Sequence, residues 1–281
     1  MDWLIDPFSL ALQQRALIGG SLAAIALALV GTWVVIRGMT FLGDALVHGV
    51  IPGIALAILF DFNVLLGALG AAVVMLVGIN LVHRQTTFSE DTSIGLLFVG
   101  MLGLGVILVS RTTSYVGNIT SILFGDALGV TSGDIMMLAV LAAIVGVASI
   151  VLYRPFLVLS FNESKAQLLG LRPRLAHGAL LVLITIAIVG SFQTVGTLLV
   201  FGLLVGPPAT AALVVRRVPA IMLGGAVIGV GSVLVGLIVS YHAATSASAT
   251  IAITPIVLFF IVLTIRSIAQ RMGRTNAPAA A

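Results

Sequence analysis

The chain has no cysteine and a single lysine, Lys165, among its 281 residues. The first absence excludes disulfides, thiolate metal ligands and thiol catalysis. The second is as informative: Lys165 follows "NES", so no G-x-x-x-x-G-K-[ST] phosphate loop exists anywhere in the chain. The H-E-x-x-H signature of a membrane-embedded metalloprotease is missing as well. Charge is scarce, with Asp, Glu, Lys and Arg making 8% of the residues, against about 25% in an ordinary soluble domain.

What fills the chain instead is apolar: 60% of it is hydrophobic and the mean hydropathy is +1.27. A spanning helix needs about 20 apolar residues, and an open strand cannot satisfy its backbone in lipid. The expected fold is therefore all-α, a polytopic integral membrane protein of about nine transmembrane helices, with eight or ten as the other counts, forming one membrane domain over 1–281. Charges and turn residues mark the blocks at 16–36, 44–60, 64–82, 92–110, 132–152, 175–190, 192–215, 219–240 and 248–269. The connection 111–131 is too apolar for a simple loop and is expected to hold a short or re-entrant helix. "MDWLIDPFSLALQQR" has no basic region ahead of its apolar stretch, unlike a cleaved secretory leader, and the tail 275–281 is expected to be disordered.

The positive residues are distributed unevenly. If the connection between the fifth and sixth blocks is cytoplasmic, that side receives Arg37, Arg84, Arg154, Lys165, Arg172, Arg174, Arg216, Arg217, Arg266, Arg271 and Arg274, and the other keeps Arg15 and Arg111. This bias puts the C-terminus in the cytoplasm and accounts for the formal charge of +4 without nucleic acid as a partner. Glycine pairs four apart, Gly49/Gly53, Gly202/Gly206 and Gly225/Gly229, suit close helix packing, within the chain or between subunits.

One greasy block carries chemistry. In "FLGDALVHGVIPGIALAILF", Asp44 and His48 stand at i and i+4, on one face of a helix and one turn apart. Pro52 has no amide hydrogen to bond the His48 carbonyl. A carboxylate, an imidazole and a freed carbonyl suit Mn, Fe or Zn. The alternatives are an Asp–His bond that only fixes packing, or Asp44 as an N-cap. An ionisable residue inside a membrane marks function by default, and Asp44 is the acid set well within a block. Pro207 and Pro208 free the carbonyls of Leu203 and Leu204, so kinks near a path are expected there and at Pro52. His83, His177 and His242 read as solvated loop residues. The segment 161–174, "FNESKAQLLGLRPR", is polar and amphipathic, suited to the membrane surface or to a groove on a soluble partner.

With "EDTSIGLLFVGMLGLGVILVS", "FNESKAQLLGL" and "VGTLLVFGLLVGPPATAALV", these motifs resemble the permease subunit of bacterial ABC transporters for manganese, zinc or iron. The likeness runs from about residue 15 to 270. It departs from the usual pattern at Asn162, where an acid is common, and in the double proline of "GPPATA". The resemblance implies that Asp44 and His48 belong to a metal site in the translocation path. It implies further that Phe161, Glu163, Ala166, Leu169, Gly170 and Leu171 belong to a cytoplasmic coupling helix seated on an ABC ATPase subunit. The chain is then no enzyme itself, holds no tight cofactor, sits in the bacterial plasma membrane and pairs with a second copy. An extracytoplasmic metal-binding protein delivers the ion. The rival is a secondary, ion-gradient-driven metal transporter, which needs several intramembrane acids.

Overall fold

The computed structural model describes residues 6–110, 128–161 and 172–275. After a 3-10 turn at Asp6–Ser9 come α1 (Ala11–Ile36), α2 (Thr40–Gly49), α3 (Ile51–Leu59), α4 (Val64–Gln85), α5 (Glu90–Ser110) and α6 (Ser132–Val151). They are followed by α7 (Tyr153–Phe161), α8 (Pro173–Val195), α9 (Thr197–Val214), α10 (Val218–Ala243) and α11 (Ala247–Thr275). Among the described residues nine helices are long and apolar enough to cross a membrane, counting α2 and α3 as one span over Thr40–Leu59. Of the connection 111–131, residues 111–127 lie outside the described residues. So do Glu163, Ala166, Leu169, Gly170 and Leu171, and residues 276–281.

Local chemistry sets several helix ends. Asn63 caps α4, its side-chain oxygen accepting from the amides of Leu65 and Leu66 at 2.9 and 3.3 Å. Thr131 and Asp134 form a capping box at α6, so two donors that a helix start leaves orphaned are satisfied reciprocally. α8 and α9 are separated by one residue, Gly196, whose φ of 82° is open to glycine and strained for other residues.

Four expected boundaries are corrected. α1 begins at Ala11, because Gln13 is buried and lets the helix start before the first long apolar run. The second span begins at Thr40, because Thr40–Gly43 continue α2 without a break. The α8–α9 junction falls at Gly196, where the backbone can turn, and Pro173 starts α8 with the missing amide that a first turn tolerates. Pro173 and Arg174 thus belong to a span, and of the expected coupling segment 161–174, residues 162–171 lie outside the described residues. α11 continues through Thr275, into the expected tail.

α1 lies at the centre of the bundle. Ala23, Ala24, Leu27, Val30, Trp33 and Val34 are fully buried, and helices α6, α9 and α10 surround it. Small residues let backbones meet in lipid, where no hydrophobic force draws helices together. A Cβ at Gly31 would run into the Leu204 carbonyl of α9, and one at Gly53 of α3 into the Gly67 carbonyl of α4. Gly202 and Gly206 face Ala252 and Pro255 of α11, while Gly225 and Gly229 face Pro208 and Ala24. These pairs pack helices within one chain. At the other extreme, α5, α6 and α11 bury only 17, 22 and 22% of their apolar windows, which places them at the periphery.

Candidate metal site

Of the ten residues of α2, Leu42, Gly43, Ala45, Leu46, Val47 and Gly49 are buried. The four left uncovered are Thr40, Phe41, Asp44 and His48, and a 3.6-residue repeat puts these on one face. The buried side is held by close fits: a Cβ at Gly43 would meet Leu204 of α9, and one at Gly49 the sulfur of Met75 in α4. Packing therefore turns Asp44 and His48 outward as a pair.

His48 Nε2 lies 3.6 Å from Asp44 Oδ1, with the two side chains 29% and 32% exposed. Two ligands bound to one ion at about 2.1 Å stand roughly 3.0–3.4 Å apart around a six- or four-coordinate centre. A small rotamer change closes that gap. Beside the pair, Phe98 of α5 stands edge-on to His48 at 6.1 Å between ring centres and to Phe41 at 5.8 Å. Sequence reading missed these two rings; the signal was the run "LLFVG" in the fourth block, which nothing tied to the second.

Depth follows from where the span begins. With Thr40 as its first residue, the helical rise puts Asp44 about 6 Å and His48 about 12 Å into a span of about 30 Å. Asp44 is not an N-cap, because that position is Met39 and no side chain caps it. The span breaks at Val50, ahead of Pro52, which sits in the first turn of α3. The amide of Val50 is directed at the His48 carbonyl that Pro52 leaves without its usual donor.

Among the described residues no group of three or more His, Asp or Glu side chains gathers. Among the described residues the site thus offers two candidate side-chain ligands and not a closed cage. Pro207 and Pro208 are buried, packed on α1 and α10 through Gly31, Gly225 and Gly229, and the carbonyl that Pro208 frees rests on Gly31. Phe161 is the last residue of α7. The histidine reading is corrected: His83 is in α4, His177 in α8 and His242 in the last turn of α10, not in loops, and His83 and His177 line one cavity. α4 runs past its apolar block through the polar residues 83–85, and α8 starts two residues ahead of its block, at Pro173.

The family model for the ABC 3 transport family matches residues 9–266. A "Probable iron transport system membrane protein" of Haemophilus influenzae is 31% identical over 262 residues, 93% of this chain and 96% of the relative. A "Manganese transport system membrane protein MntC" of Listeria innocua is 33% identical over 248 residues, 88% of each chain. In a solved structure, "PsaBC from Streptococcus pneumoniae in complex with Fab", one chain superposes with a TM-score of 0.82 at 28% identity, over 92% of this chain and 94% of that one.

Proposed function

The chain belongs to the ABC 3 transport family, and on that premise we propose that it is the membrane permease of an ATP-driven importer for manganese or iron. Asp44 and His48 bind the ion in passage. The observation that carries this reading is the uncovered face of α2. A helix buried on every other side leaves its acid and its imidazole open. In hydrocarbon an uncovered carboxylate is costly, so such a face belongs against water or another protein surface. A second copy related by a two-fold axis meets both needs. It brings another Asp44 and His48 to the axis and completes four ligands of the oxygen and nitrogen type that suit these metals.

Weak binding is what a carrier requires, since the ion has to leave as readily as it enters. An incomplete site on each of two chains gives that: moving the chains apart by a small distance halves the ligand set. Energy comes from elsewhere, because the chain has no phosphate loop. A cytoplasmic ATPase subunit supplies it through the segment that links α7 to α8, and an extracytoplasmic binding protein delivers the metal. The arginine bias orients the C-terminus to the cytoplasm of the bacterial plasma membrane. The names of the relatives, with manganese and iron in them, favour those two metals over zinc.

The experiment that tests the reading is equilibrium binding of radioactive manganese to the purified permease. One ion per two chains, abolished by Asp44→Ala, is the expected result. Full binding by the variant would move the site elsewhere.

A further inference from the structure

The cavity that His83 and His177 share has a volume of about 720 Å³ and lies where the arginine-rich ends of the helices converge. Arg37 closes α1, His83 is near the end of α4, Leu159 is near the end of α7, and Arg174 and His177 begin α8. The size falls within the range of about 300–1,000 Å³ typical of small-molecule sites. Among the described residues its lining is one-sided in charge: it includes two arginines, two histidines and Asn80, and no carboxylate. That argues for an anion and against a second metal cation, which two guanidiniums would repel.

The apolar half of the wall identifies the kind of anion. Val77 of α4 and Val182 of α8 both line the cavity and are 60% and 53% exposed. On α4 the exposed apolar residues continue from Val77 to Val74 and Val73, 60% and 56% exposed, so the cavity wall passes into an aliphatic strip on a helix apolar enough to cross a membrane. A free phosphate has no use for that strip; a phospholipid covers it with its acyl chains. His83 is already oriented, its Nδ1–H donating to the Phe88 carbonyl at 3.3 Å, and Arg174 is exposed at the mouth with a guanidinium suited to bidentate phosphate contact.

We infer that this cavity binds the phosphate headgroup of an anionic phospholipid. Basic pockets between helix ends at the membrane surface have the chemistry for such headgroups. The lipid joins α4 to α8 across the opening and so braces the helix that follows the coupling segment.

The test is the unfolding temperature of the purified permease with phosphatidylglycerol, phosphatidylcholine or inorganic phosphate, alongside the lipid retained in native mass spectrometry. At a hundredfold excess over Kd, phosphatidylglycerol is expected to raise the midpoint by roughly 5 °C, and phosphatidylcholine and phosphate are not. Arg174→Gln is expected to lose most of that shift and the retained lipid, His83→Gln part of it, and Arg217→Gln, an exposed arginine outside the cavity, none. An equal shift from inorganic phosphate, lost in Arg174→Gln, would make this a free-phosphate site and overturn the lipid assignment. Equal shifts from both lipids, or retention of phosphatidylglycerol by both cavity variants, would overturn the site altogether.

Discussion

Asp44 and His48 are 3.6 Å apart on the open side of α2, and the roles proposed for them are separable. In the proposed site Asp44 is the shallower and would supply charge, while His48 is a turn deeper and would supply nitrogen. Asp44→Asn keeps shape and loses charge, so manganese affinity is expected to drop at least by the roughly 10–100-fold that follows removal of a mere outer-shell partner. His48→Gln is expected to lose comparable affinity and to weaken zinc, as a competitor, more than manganese, because imidazole suits zinc and carboxylate suits manganese. Competition binding against radioactive manganese checks both. Equal loss for the two metals in both variants would mean that the pair acts through packing. At this scale the sequence was legible: the i, i+4 spacing named the two side chains. It did not show that Phe98 stands beside them, since contact between helices 40 residues apart in sequence leaves no local pattern.

The elements meet through glycine. Backbone carbonyls of α9 and α4 occupy the positions that a side chain at Gly31 or Gly53 would need. Neither site can yield by moving a flexible tip, so the helices have to part. Gly31→Val and Gly53→Val are each expected to cost about 1–3 kcal/mol, as overpacking does, read as a lower midpoint in thermal unfolding. Gly100→Val, with open space around the added carbon, is the matched control and should leave the midpoint in place. A different contact holds α7. Trp33 is fully buried and packs edge-on to Phe156 at 5.6 Å and tilted to Tyr153 at 5.8 Å, fixing the helix that leads into the proposed coupling segment. Trp33→Ala removes that seat at a cost of about 3 kcal/mol or more. It should also lower ATP hydrolysis stimulated by the permease more than it lowers metal binding. All nine blocks were readable because lipid admits few structures. The junctions were not: Gly196 and the break at Val50 depend on backbone geometry that composition does not encode, and the glycine spacing could not tell packing within a chain from packing between chains.

At the scale of the whole molecule, the absence of cysteine becomes a tool. Phe41→Cys puts a lone thiol on the open line of α2, next to the proposed axis. A disulfide needs Cα atoms within about 7 Å, and a short bis-maleimide relaxes that. Cross-linked pairs are expected from Phe41→Cys in membranes, and not from Ile150→Cys, which is 78% exposed on peripheral α6. Monomers only from the first would leave α2 facing something other than its twin. One-sided charge was visible in the sequence as eleven basic residues against two. The fold agrees that several of these share an end, since Arg37 and Arg174 line one cavity and Arg266 donates to the Leu213 carbonyl at the end of α9.

The central claim is that the pair on α2 passes the ion, and its most direct test is ATP-dependent uptake of radioactive manganese and iron into proteoliposomes. These hold the permease with its ATPase and delivery protein, and wild type is compared with Asp44→Ala and His48→Ala. Uptake lost in both variants, with insertion and ATPase assembly intact, is the predicted result. Uptake at the wild-type rate in either would contradict the account and leave Asp44 and His48 as packing residues.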